Sequence, residues 1–158
     1  MSVAAMIVAG AVAIVIVGFA VLGQLSRSGS APGLRGDQLA ACPKRPNCVS
    51  SENPEDDKRF VAPLAFAGDD PGKLRAALRQ VIEDMGGRII TENDTYIAAI
   101  FRSLVFGFID DFEIRLDANE RHIHVRSASR VGYSDRGVNR NRVEKFRGRW
   151  LQYQAAAD

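Results

Sequence analysis

What the sequence has little of narrows its function first. It carries two cysteines and two histidines, whereas a zinc site draws on about four Cys, His or carboxylate ligands. No Cys-x-x-Cys pair is present, so thiol redox chemistry has no motif to run on. His122 and His124 read as surface residues at a strand start, and neither is placed locally to activate Ser127, Ser129 or Ser134 as a nucleophile. No metal, cofactor or catalytic residue is therefore assigned. The basic C-terminal segment lacks the interleaved aromatics that stack on bases, so nucleic acid is not an expected partner. No internal repeat is evident.

Charge is missing altogether from Ser2 to Leu25, a run rich in Ala, Val, Ile and Gly. That is roughly the 20 apolar residues that cross a bilayer as a helix. A cleaved signal peptide carries a basic leading region and an apolar core of roughly 7–15 residues. No Lys or Arg precedes this run, so an uncleaved single-span anchor is the expectation. Ala5, Gly10, Gly18 and Gly23 form no clean GxxxG, and no helix dimerisation follows. The Ser/Gly/Pro-rich residues from Ser26 to Gly33 read as flexible. The expected organisation is an anchor over 1–25, a linker over 26–38 and a globular domain over 39–158.

Two signals compete over which side of the membrane that domain occupies. Cys42 and Cys48 bracket a loop bent by Pro43 and Pro46, and an even cysteine count suits a disulfide in an oxidising compartment. Arg27 and Arg35 follow the span directly, and the positive-inside rule would put them in the cytoplasm. The expectation is a Cys42–Cys48 disulfide and a domain outside the cytoplasm, with a cytoplasmic domain as the alternative. Leu39-Ala40-Ala41-Cys42 looks like a lipoprotein cleavage box, but Arg27, Arg35 and Asp37 separate it from the apolar core.

The rest of the chain reads as α+β. Phe60 to Leu64 suits a short edge strand, since Pro63 is poorly tolerated in a sheet interior. Asp70 caps a helix with Pro71 at its first position, and Leu74, Leu78, Val81, Ile82 and Met85 recur at helical spacing. Gly86-Gly87 stops it. Four extended runs follow, at 88–92, 96–101, 106–116 and 122–127, joined by short turns that favour antiparallel pairing. A last helix over 137–153 presents Val143, Phe146, Trp150 and Tyr153, with Asn139 on the same stripe. The predicted architecture is one antiparallel sheet of about five strands with both helices on one face, preceded by the transmembrane helix.

The net charge of +2 hides an asymmetry. Basic residues crowd the segment from Arg121 to Arg149, and acids lie upstream. Between a strand and the last helix stand Arg126, Ser127, Ser129, Arg130, Ser134, Asp135, Asn139, Arg140 and Arg142, with Gly132 and Gly137 as bends. Arginine's planar fork pairs with phosphate or carboxylate, and a helix start attracts anions. These nine residues are the candidate ligand-binding set. Asp110, Asp111 and Glu113 are either acid/base groups or partners of those arginines, with Asp111 and Glu113 on one strand face and Asp110 on the other.

Three blocks carry a resemblance: Cys42 to Ser51, Phe106 to Glu113, and Arg126 to Val143. Together they resemble the family catalogued as domain of unknown function 1499, over roughly Leu39 to Tyr153. The resemblance implies a bacterial or plastid-type domain behind an export signal or membrane span, and three blocks that meet in space. It implies no activity and no catalytic residue. The expected function is a non-enzymatic domain on the bacterial inner membrane, on the periplasmic side, that binds an anionic lipid headgroup, another envelope polyanion or an acidic protein surface. The alternatives are a hydrolase of a phosphorylated or acyl envelope substrate with Asp110 or Asp111 as acid/base, and an accessory subunit of a membrane complex.

Overall fold

The computed structural model describes residues 2–157. Helix α1 (Val3–Leu25) is capped by the Ser2 hydroxyl, which accepts from the Ala5 amide. Its length and mean hydropathy of 2.8 suffice to cross a membrane, and its most apolar stretch is not buried against the protein. A membrane anchor and a signal sequence both fit that description.

A 3-10 turn (Ser26–Ser28) leads into two short strands, β1 (Leu34–Arg35) and β2 (Gln38–Leu39), which pair with each other. Then follow β3 (Cys48–Ser50), β4 (Leu64–Ala65), helix α2 (Pro71–Asp84), β5 (Arg88–Glu92), β6 (Tyr96–Arg102), β7 (Ile109–Asp117), β8 (His122–Ser129) and helix α3 (Val138–Ala157).

The main sheet has six strands in the order β3-β8-β7-β6-β5, with β4 also on β8. All its strand pairings are antiparallel. The expected single sheet of about five strands is thus corrected to a six-stranded sheet plus a two-stranded one. The physical reason is that β8, eight residues long, has an edge opposite β7 that can take two short partners. The short β3 and β4 divide that edge, pairing with Arg126–Ala128 and with His122–Ile123. In the segment expected as an edge strand, only Leu64–Ala65 is a strand, while Phe60 makes an isolated parallel bridge to Ser50.

Strand alternation separates two faces. On one face, Ile97, Ala99, Phe112, Ile114, Ile123 and Val125 meet the apolar stripes of α2 (Ala77, Leu78, Val81, Ile82) and α3 (Val143, Phe146, Trp150). Phe112 packs on Phe146 with ring centroids 5.2 Å apart. Asp70 starts α2 as expected, accepting from the Gly72 and Lys73 amides at 2.9 and 3.0 Å.

The opposite face is largely polar and is crossed by residues 26–40. Leu39 and the half-buried Ala31 and Leu34 pack over Tyr96 and Ala98. Two residues of the segment 26–38 hydrogen-bond to the sheet. Gly33 donates to Glu113, and the Ser26 hydroxyl accepts from the Ile109 amide at 3.0 Å.

Candidate functional site

The three sequence blocks do meet, but on two faces of the sheet. On the helix face, Asn139 is fully buried at the start of α3. Its amide nitrogen donates to the Asn47 carbonyl and the Ser129 hydroxyl, both at 3.0 Å. Its oxygen accepts from the Ser127 hydroxyl and from Arg142 Nη1, both at 2.6 Å. Arg142 also donates to Asp110 at 2.6 Å and stacks over the Phe101 ring, 4.8 Å from its centroid. Asp135 caps α3, taking the Gly137 and Asn139 amides at 3.0 and 2.8 Å. The exposed Ser134 hydroxyl accepts from the Arg136 amide.

On the opposite face, Glu113 is fully buried and accepts three hydrogen bonds: Tyr96 Oη at 2.7 Å, the Gly33 amide at 3.0 Å and Arg126 Nη1 at 2.6 Å. Burial and the adjoining carboxylate hold the Tyr96 phenol well above its ordinary range, so it stays a donor. Asp111 takes Arg130 as a fork, with Nε at 3.0 and 3.1 Å and Nη2 at 2.7 Å. Arg130 also donates to the Ser26 carbonyl at 3.3 Å.

Further along that face, Glu52 receives Arg115 at 2.8 Å and the Leu39 amide at 3.2 Å. His124 Nδ1 lies 3.5 Å from Glu52 and 3.3 Å from the Ser51 hydroxyl. Both contacts fall on the same ring nitrogen, so this is not a nucleophile–base–acid relay.

Arg126, Arg130 and Arg142 of the candidate set therefore each hold a carboxylate, while Arg140 donates to the Lys58 and Phe60 carbonyls at 2.9 and 3.0 Å. Among the described residues, several Lys and Arg side chains, Arg136 and Arg140 of the turn included, have no carboxylate within salt-bridge range, and Arg27, Arg88 and Arg102 are three of them. All three line one groove of about 660 Å³ on the polar face, together with Tyr96, Ile100 and the Asp111–Arg130 pair.

Gly107 shows how closely two of them approach. A β-carbon there would lie 3.0 Å from Arg102 Nε and Nη2 and 3.1 Å from Arg27 Nη2. Its φ of +67° also favours glycine. Two guanidinium groups thus converge on one point beside the end of α1. The sequence holds a clue to Arg27, the first charge after the apolar run, but nothing local pairs it with Arg102 or Arg88 across the sheet.

Cys42 and Cys48 are disulfide-bonded, with Cα atoms 5.6 Å apart. The bond also engages the thiol that the cleavage-box motif would need. For a metal, Glu120, His122 and His124 bring one ligand-type atom each within 4.8 Å of one another. That is one fewer than the about four ligands of a closed zinc site.

A family model described as protein of unknown function (DUF1499) matches residues 38–149. No curated protein matches the chain.

Proposed function

The chain belongs to the DUF1499 family, and from that premise we propose that it is a membrane-anchored, non-enzymatic binding domain. In this reading an anionic group, the phosphate of a lipid headgroup, occupies the groove lined by Arg27, Arg88 and Arg102. The observation that carries it is the convergence of Arg27 and Arg102 on Gly107, in a groove whose one lining carboxylate, Asp111, is taken by Arg130. Like charges held together repel, and an anion placed between them relieves the repulsion while taking the fork of each.

Position supports the same ligand. Arg27 follows the end of α1 by two residues, so the groove opens at the level of the headgroups when α1 spans the bilayer. A basic side chain near an anionic surface gains about 1 kcal/mol. Arg130 connects this groove to the arginine-rich turn read from the sequence, and its Asp111 fork fixes the groove's floor. The Cys42–Cys48 disulfide favours a domain on the periplasmic side.

The hydrolase reading draws less support. Asp110 and Asp111 are each held by an arginine, at 2.6 and 2.7 Å, which leaves neither carboxylate free as an acid/base group. Native mass spectrometry of the full chain in detergent, titrated with short-chain phosphatidylglycerol, tests the proposal. One saturable adduct is expected, lost in Arg27→Gln/Arg102→Gln and absent with phosphatidylcholine. Equal adducts with both lipids, or an unchanged adduct in the double variant, would refute it.

A further inference from the structure

The hairpin between β6 and β7 ends in Leu104, Val105 and Phe106. Leu104 and Val105 are 102% and 82% exposed, the most exposed large apolar side chains among the described residues. Isolated exposed apolar residues are ordinary on soluble surfaces. These are not isolated, because the hairpin lies along α1. Phe106 stacks on Phe19 with centroids 5.2 Å apart, and Phe108 meets the same ring edge-on at 6.4 Å.

The helix is shaped to receive the hairpin. A β-carbon on Gly23 would sit 2.0 Å from the Phe106 carbonyl oxygen, so only glycine permits this approach. One turn on, the Ser26 hydroxyl accepts from the Ile109 amide at the hairpin's base. Ser103 and Phe108 close the hairpin with two hydrogen bonds of 2.9 Å.

We infer that this hairpin tip is a second membrane contact, a wedge seated in the outer acyl layer of the bilayer beside α1. The depth follows from helix geometry. An upright α1 of 23 residues is about 34 Å long against a hydrocarbon core of about 30 Å. Phe19 lies six residues before the end of the helix, roughly 9 Å along its axis. Its ring, and the Phe106 ring stacked on it, therefore sit below the headgroups. Leu104 and Val105 share that tip and bury their apolar surface there, within the roughly 5–10 Å depth of interfacial apolar elements.

The wedge rests on α1 being inserted, and it is independent of any ligand in the groove. The test uses full-length protein in vesicles of phosphatidylcholine alone, with the Cys42–Cys48 disulfide intact and one environment-sensitive NBD fluorophore per variant. Labels are placed at Leu104→Cys, at Val12→Cys within α1, and at Asn119→Cys in the turn at the far end of β7. Expected is a Leu104 label shifted to the blue and quenched most by a shallow spin-labelled lipid. The Val12 label is quenched most by a deep one, and the Asn119 label by neither.

A quenched Val12 label beside an unquenched, water-like Leu104 label overturns the wedge and leaves these side chains to a protein partner. Loss of quenching at both positions overturns the anchor as well. Gly23→Leu, which forces the hairpin off α1, is expected to abolish quenching at Leu104 while leaving Val12 unchanged; unchanged quenching at Leu104 overturns the seating on α1.

Discussion

Replacing Glu113 with Gln tests the buried face directly, because the side chain keeps its shape and loses its charge. Glu113 is fully buried, and Arg126 is 5% exposed. The carboxylate accepts from Tyr96, Gly33 and Arg126 at once. A glutamine must turn its amide nitrogen toward one of these donors. If it faces Arg126, two donors oppose each other. If it faces the other side, the Gly33 amide loses its acceptor.

In either case a buried guanidinium is left without its anion, and Arg126 Nε has no hydrogen-bond partner among the described residues to begin with. Removing one member of a buried pair costs about 3–5 kcal/mol, a large share of a total stability of about 5–15 kcal/mol. For a domain of this size that lowers Tm by about 10 °C or more. The fluorescence of the buried Trp150 in full-length protein reports the transition. Glu113→Leu/Arg126→Met, which removes both charges, is expected to lose less than Glu113→Gln alone. A drop below about 3 °C for Glu113→Gln, or a double variant worse than the single, would refute the reasoning.

Other expected outcomes follow from the same contacts. Asn139→Ala leaves the Asn47 carbonyl with the Ser129 amide as its remaining donor, removes the acceptor shared by Ser127 and Arg142, and should cost at least about 2 kcal/mol by denaturant titration. Burial holds the His124 imidazole below its ordinary 6.5. The native state then binds fewer protons than the unfolded chain, so stability present above pH 6.5 falls as pH drops through the window beneath it. His124→Gln should flatten that part of a Tm–pH profile. Cys42→Ser/Cys48→Ser opens a loop whose ends are six residues apart, with an expected loss of about 2 kcal/mol in the chain-entropy picture.

Much of the framework was legible from periodicity. The cap at Asp70, the apolar stripes of α2 and α3, and the alternation along β7 all correspond to observed elements. The alternation also placed Asp111 and Glu113 on one face and Asp110 on the other, because side-chain direction in a strand depends only on parity. Partners were not legible, because they depend on register and on which element covers each face. Arg126 meets Glu113 because these residues are register partners on β8 and β7. Tyr96 reaches the same carboxylate from β6, and no local pattern announces it.

The three-residue strand at Cys48–Ser50 is too short to show a period. The start of β7 falls at Ile109 rather than 106, because the residues before it turn through Gly107 and pack on α1 instead. The groove had no signature of its own, since it gathers Arg27, Arg88 and Arg102 from three separate segments.

In the proposed reading Arg27 and Arg102 share one anionic headgroup. The most direct measurement follows the guanidinium Nε–H resonances of the full chain in neutral micelles during a phosphatidylglycerol titration. Saturable shifts at Arg27 and Arg102 with one common midpoint are expected, and none at the exposed Arg149. Shifts of similar size at all three arginines, or none at the first two, would contradict it.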